Sequence, residues 1–311
     1  MLRILVTGGS GFIGASVARA LCARGDQVVV FDVARSARLD GVPGLTFVQG
    51  EISEWPQLMT AVQTHRPDAA VHCAAIVGVT NSLASPIGTF RVNVEGSLNL
   101  FEAMRLFGVR RAINLSSEET YGVFERDMID ETHPNRPVAP YGISKYAVER
   151  LAGDYVARYG LEIIHIRTCW VYGPGLPRPR APKIFVDAAV NGARLHLAGG
   201  GDFRVDHVYI DDCVAGIIRA LDKPKHRHDV HHVATGEAPS LAEIVDHVKA
   251  MVPGADLAIG PSPYKFADGS EAVRKGALDI SRARTELGYV PRFPIRDGLL
   301  AYIEATRAGR G

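Results

Sequence analysis

The stretch TGGSGFIG, residues 7–14, constrains this chain more than any other. It follows a β-branched run, RILVTG (3–8), and opens FIGASVARALCARG (12–25), whose apolar positions recur at helical spacing before a glycine stop. Glycines at 8, 11 and 14 give GxxGxxG, close to the dinucleotide fingerprint GxGxxG with its first glycine moved by one. Glycines there let the backbone turn sharply, approach a pyrophosphate closely and seat the helix against a sheet. The helix N-terminus then offers free N–H donors and a favourable dipole to an anion. The second strand, QVVVFD (27–32), ends in Asp32, which suits a ribose 2′-hydroxyl and repels a 2′-phosphate. This predicts NAD as cofactor, held by Gly8, Gly11, Phe12, Ile13, Gly14 and Asp32. Arg35 and Arg38, just downstream, keep a phosphate contact and hence NADP open.

Beyond the first helix, strands and helices alternate. Strands are expected at 45–51, 69–75, 111–117 and 161–168, and helices at 92–108 and 141–160, which is the pattern of βαβ units around a parallel sheet. The texture changes after Tyr172, where GPGLPRPRAPKIF carries four prolines and reads as a loop into a different region. A short strand near 207–210, a helix after it, a strand at 230–236 and a helix opened by the capping box Ser240–Glu243 follow. A last amphipathic helix is expected near 295–306. The 311 residues allow about two domains. A net charge of +1 gives no reason to expect nucleic acid or a membrane surface as partner. The segment LRILVTGG already reads as a first strand, so no signal peptide is expected before it, and no apolar run is long enough for a bilayer. Four dispersed cysteines without a CxxC pair point to reduced thiols and a cytoplasmic protein.

Two further segments carry chemistry. In PYGISK, Tyr141 and Lys145 are four apart at a helix start and share one face. A neighbouring ammonium and a nicotinamide cation favour the phenolate, making a phenol of ordinary pKa near 10 a usable base at neutral pH. In NLSSEETYG (114–122), a buried strand ends in two serines and two glutamates, with Ser117 about 24 residues ahead of Tyr141.

With TGGSGFIG, VHCAA, VNVEGSLNLFEA, SSEETYG, YGISK, VYGPG, DHVYIDDCVAGI and DISRARTELGY together, nearly the whole chain resembles the extended short-chain dehydrogenase/reductase superfamily, the NAD-dependent sugar epimerases and dehydratases. The resemblance implies an α/β fold: a doubly wound parallel sheet of the Rossmann type with a smaller C-terminal substrate domain. Residues 1–172 with about 207–236 would form the NAD-binding domain, and 173–206 with 237–311 the substrate-binding domain. Ser117 would hydrogen-bond the reacting hydroxyl, Tyr141 would be the base, and Lys145 its tuner and a ribose ligand. Ala74, Ala75 and Asn93 would line or brace the cofactor cleft. Glu51, with Ile52, stands where the family often has an aspartate near the adenine. Thr80, Arg178, Arg180, Lys183 and Arg204 are candidate substrate contacts, and a homodimer is implied.

Within this family the triplet at Ser117–Glu119 varies with the reaction. Dehydratases resemble Thr-Asp-Glu there, with an acid that protonates a leaving hydroxyl and a glutamate that removes the proton beside the ketone. Oxidising C4 of a sugar acidifies the C5 proton, so a paired acid and base suffice for elimination or inversion. Glu119 stands at the base position and Glu118 at the acid position. Both enter the cleft only if the chain turns there, because adjacent strand residues face opposite ways. These residues predict a sugar or nucleotide-sugar epimerase/dehydratase acting through a transient ketone. Trp170, where the family often has a substrate-binding asparagine, favours instead a dehydrogenase of a small sugar, sugar acid or hydroxy acid. The histidines of KHRHDVHH (225–232) lack a completing ligand set, and no metal is expected. Leu98, Phe101, Val148 and Tyr155 are apolar positions on the helices at 92–108 and 141–160 that serve either core packing or, as the resemblance implies, exposed faces of a four-helix homodimer interface.

Overall fold

The run of β-branched residues on both faces of each strand requires a sheet covered on both sides. The computed structural model, which describes residues 1–266 and 269–309, has such a sheet. Its strands are β1 (Arg3–Thr7), β2 (Gln27–Asp32), β3 (Leu45–Gln49), β4 (Ala69–His72), β5 (Arg111–Ser117), β7 (Glu162–Thr168) and β11 (Val230–Val233). They lie in the order β3-β2-β1-β4-β5-β7-β11, and every neighbouring pair is parallel. Alternation sorts their side chains. Ile4 and Val6 of β1 enter one core with Val28 and Val30, while Leu5 enters the other with Val29 and Phe31. Helices α1 (Phe12–Ala23) and α8 (Ile210–Asp222) cover the first face, and α2 (Trp55–His65), α5 (Gly96–Phe107) and α6 (Pro140–Tyr159) the second. Strand order reverses between β1 and β4, which opens a crevice at their carboxyl ends.

Short helices α3 (Val79–Ala84) and α4 (Pro86–Phe90) follow β4. The helix expected over 92–108 begins only at Gly96, because residues 91–95 form a π turn. The cause is Asn93, whose side chain bonds the Ile76 backbone twice and Ser144 once, holding the backbone open where it faces the crevice. Outside the main sheet, the chain builds small parallel pairs: β8 (Trp170–Tyr172) with β10 (His207–Tyr209), β9 (Leu195–Gly199) with β12 (Leu257–Ser262), and β6 (Met128–Ile129) with β13 (Ala277–Leu278). Helices α7 (Lys183–Val190), α9 (Leu241–Met251) and α11 (Ile295–Arg307) pack together around them, and α10 (Ser281–Leu287) lies against β11. The capping box at Ser240–Glu243 is formed as expected. The strand expected over 230–236 stops at Val233, because Thr235 and Gly236 turn their N–H groups to the buried Asp206 carboxylate.

Candidate active site

The crevice begins in the glycine loop. Gly8 has φ +67°, and a Cβ there would stand 2.5 Å from the Ala74 nitrogen; a Cβ on Gly14 would stand 2.2 Å from the Gly8 carbonyl oxygen. The loop is therefore pressed against the end of β4 on one side and against its own helix on the other. Asp32 accepts from Ser10 N (2.8 Å) and Val33 N (2.7 Å), so it ties the loop to the end of β2. The Ser10 hydroxyl is buried and has no partner among the described residues. An orphaned donor, a cradle that admits only glycine and the open first turn of α1 fit a dinucleotide pyrophosphate. Of the two arginines that could contact a phosphate, Arg35 already pairs with Asp40 (3.1 Å), while Arg38 donates to the neutral acceptors Phe12 O (3.2 Å) and Ser16 Oγ (3.1 Å). Further along, Glu51 accepts from Ser53 (2.8 Å) and Ile52 is buried beneath α5, where Asn99 holds its carbonyl (3.1 Å).

Across the crevice, β5 and α6 bring the catalytic candidates together. Burial pushes the Tyr141 phenol up from the ordinary tyrosine value and Glu119 adds to this, opposed by Arg178, by nearby Ser117 and by Arg180. Lys145, one turn along α6, is buried; its Nζ donates to the Leu115 carbonyl (2.8 Å) and lies 6.0 Å from the Tyr141 ring centroid. Burial pushes its ammonium down to about 8. The helix is anchored behind them by a buried ion pair, Glu149 with Arg167 (2.5 Å), and by Ser116 donating to Glu149 (2.6 Å).

The two glutamates part company at a single 3-10 turn, Glu118–Thr120, which Ser117 caps by accepting from Glu119 N (3.2 Å). Glu119 lines a cavity of about 170 Å³ with Trp170, Phe203, Val79, Leu83 and Lys275. Lys275 Nζ pairs with its carboxylate at 3.1 Å and also donates to Gly122 O (3.2 Å). Glu118 is buried, and one of its oxygens has no partner among the described residues. Burial pushes its carboxyl up to about 8; Lys275 opposes that, while Glu119 and Asp206 add to it. The folded protein thus keeps a proton that the unfolded chain releases above about 4.5. Stability is then expected to fall as pH rises from there to about 8, by an amount on the order of a few kcal/mol. Glu118→Gln is expected to flatten this part of the profile, measured as melting temperature between pH 5 and 8. Asp206, pushed up to about 6 by burial, contributes equally to both proteins. Parallel profiles would show that Glu118 is solvated.

Other candidates are placed elsewhere. Arg204 pairs with Glu243 (3.1 Å) and Lys183 with Asp187 (2.8 Å), so both already have protein counter-ions. Thr80 lies in α3 between the lining residues Val79 and Leu83. His226 bonds Glu162 (2.9 Å), His228 bonds Glu286 (2.8 Å), and His232 accepts or donates at 2.6 Å to Tyr121. Phe101 and Val148, for which core packing and an exposed helix face were both open, are core residues between α5, α6 and the sheet; a helix face turned to the sheet and one turned outward share the same apolar periodicity. Lys275 was not legible in the sequence, since EAVRKGALDI carries no motif. It reaches Glu119 through the pairing of β13 with β6.

The sequence profile of the NAD dependent epimerase/dehydratase family matches residues 4–236. A UDP-glucose 4-epimerase of Mycolicibacterium smegmatis is 31% identical over 316 residues, covering 98% of this chain and 99% of the relative. A dTDP-glucose 4,6-dehydratase of Streptomyces antibioticus is 31% identical over 324 residues, covering 99% and 93%. The crystal structure of a Thermus thermophilus UDP-glucose 4-epimerase in complex with NAD superposes with a TM-score of 0.86, at 29% identity, over 98% of this chain and 99% of that one.

Proposed function

From the premise that this chain belongs to the NAD-dependent epimerase/dehydratase family, we propose that it oxidises a carbinol carbon of a sugar-like substrate to a ketone, inverts or eliminates beside it, and then returns the hydride. Bound NAD would accept that hydride and give it back. The rest falls to the chain's own residues. Ser117 orients the reacting hydroxyl, and Tyr141 takes its proton as hydride departs. Lys145 stabilises the phenolate from behind. Glu119, paired with Lys275 at 3.1 Å and lining the cavity, is the group suited to proton transfer at the carbon beside the ketone. The observation that carries this reading is the convergence of Ser117, at the end of β5, with Tyr141 and Lys145 at the start of α6, where Lys145 Nζ reaches the Leu115 carbonyl (2.8 Å), beside the turn from which Glu119 lines its cavity.

A second reading, a net dehydrogenase of a small polyhydroxy substrate, is favoured by Trp170. Its indole packs 5.8 Å from Phe203 and 5.7 Å from Tyr264, a wall that leaves little room beside the reacting position. Absorbance at 340 nm decides between the two. A recycling enzyme is expected to purify with NAD bound and to turn over substrate with no net absorbance change; steady growth at 340 nm would overturn the first reading in favour of the second.

Residues 1–172 with about 207–236 are taken as the NAD-binding domain, supported by α8 and β11 completing the sheet and its cover. Residues 173–206 and 237–311 are taken as the substrate-binding domain, supported by the packing of α7, α9 and α11. A homodimer is supported by a hollow on α4 and α5 lined by Ile87, Phe90, Val94 and Leu98, in which Ile87 is 85% exposed. Among the described residues no helix is long and apolar enough to cross a membrane. A cytoplasmic location is supported by the four cysteines, all of them free.

A further inference from the structure

Two guanidiniums near the cavity that Glu119 lines form no ion pair among the described residues. Arg180 is half-buried and lies over the Trp170 indole, 5.0 Å from the ring centroid. Its Nη2 donates to the Val171 carbonyl (3.1 Å), while its Nε is sealed from solvent with no acceptor among the described residues. Arg178 donates from Nη1 to the Val77 carbonyl (3.0 Å), just ahead of α3, whose Val79 and Leu83 line the cavity. Among the described residues neither arginine forms an ion pair, whereas Lys275, Lys183 and Arg204 each have a carboxylate. Carbonyl acceptors satisfy N–H groups but leave the net charge uncompensated, and a charge held in a partly dry wall costs several kcal/mol unless paired. Among the described residues the buried Glu118 forms no hydrogen bond or ion pair with either guanidinium, and one of its oxygens has no partner at all. The wall is therefore built to receive an anion from outside the chain.

Where that anion sits relative to the reacting carbon identifies its chemistry. In a nucleotide sugar the diphosphate lies across the sugar ring from the carbon oxidised, so cations that hold it stand away from the catalytic phenol. Here Arg180 lies over Trp170, which lines the same cavity as Glu119, Arg178 is tied to Val77 just ahead of the lining residue Val79, and Trp170 with Phe203 closes the adjoining space. We propose that the substrate is a sugar acid whose carboxylate lies on, or one carbon beyond, the neighbour of the reacting carbinol, and that Arg180 and Arg178 grip that carboxylate. A guanidinium's planar fork matches a carboxylate with two parallel hydrogen bonds, which a lysine cannot reproduce. The proposal rests on the reading above that Tyr141 receives the reacting hydroxyl.

The test is a thermal-shift titration of the NAD-saturated full chain with D-glucuronate, D-gluconate, D-glucose and UDP-glucose. At least one acid is expected to bind tenfold or more tighter than glucose. Arg180→Met is expected to remove that preference by at least tenfold and leave glucose unchanged, while Arg180→Lys keeps part of it. The melting temperature of each unliganded variant separates a lost site from a lost fold, and Arg180→Lys carries the test if Arg180→Met unfolds. Binding of neither acid, equal affinity for acid and glucose, or an acid preference intact in Arg180→Met would overturn the proposal. So would UDP-glucose binding tighter than both acids and weakening in Arg180→Met, which would give the arginine to a diphosphate. Failure of hydride recycling is read separately, as NADH growth at 340 nm, so the two ideas fail by different signals.

Discussion

Tyr141→Phe is expected to lower turnover by about 10²–10⁴-fold while leaving NAD affinity within twofold of the parent. The substitution removes one oxygen from a ring that is otherwise buried and held by α6, so packing is retained. On the mechanism proposed above, what is lost is the proton acceptor, which Ser117 would orient and Lys145, held on the Leu115 carbonyl one turn along α6, would support. The upward push of burial on the phenol means that it is protonated without help, and the help comes from positive charge: Arg178 and Arg180 on one side, and the cofactor's ring when bound. A kcat within tenfold of the parent, with NAD bound normally, would remove Tyr141 from the chemistry and with it the mechanism proposed above.

The second large effect concerns two glycines that the motif treats alike. A Cβ on Gly14 meets the Gly8 carbonyl oxygen at 2.2 Å, and also Gly8 C and Gly9 Cα at 2.9 Å, all backbone atoms that have nowhere to go. A Cβ on Gly11 meets only the Gly8 oxygen, at 3.2 Å, and the Gly11 backbone is extended at φ −70°, which any residue adopts. Gly14→Ala is expected to cost about 1–3 kcal/mol and to weaken NAD binding more than tenfold, because the loop must move off its own helix. Gly11→Ala is expected to cost clearly less in stability. Thermal melting without added NAD compares the two folds, and fluorescence titration gives the NAD affinity. Equal destabilisation by both substitutions would show that the helix does not seat against the loop as described.

These two cases mark how far local sequence reaches. The glycine loop, Asp32 and the Tyr141–Lys145 pair were legible because each depends on residues within one or two turns of chain, where strand and helix periods set which side chains meet. The same holds for the sheet itself, whose strands were legible from β-branched runs, with ends misjudged by a few residues. Those ends are decided by distant groups: Asp206 draws off the N–H groups after Val233, and Asn93 opens the start of α5 by bonding Ile76. Phe101 and Val148 turned out to be core for a similar reason, since apolar spacing on a helix does not tell which surface covers it.

The question of Glu118 and Glu119 shows the division most plainly. Two adjacent carboxylates after a strand allowed either, both or neither to reach the substrate. The 3-10 turn capped by Ser117 separates them, so that Glu119 lines the cavity while Glu118 goes under it. Glu119 then takes its counter-ion from Lys275, a residue 156 positions away in sequence, carried in by the β6–β13 pairing. The sequence by itself determined a doubly wound NAD-binding sheet with a tyrosine–lysine pair at its crevice, because those features rest on local periods and backbone freedom. Only the tertiary structure decided which glutamate meets the cavity, which arginines lack an anion and how large the space beside Trp170 is, because burial and charge compensation are set by chains that meet across the fold.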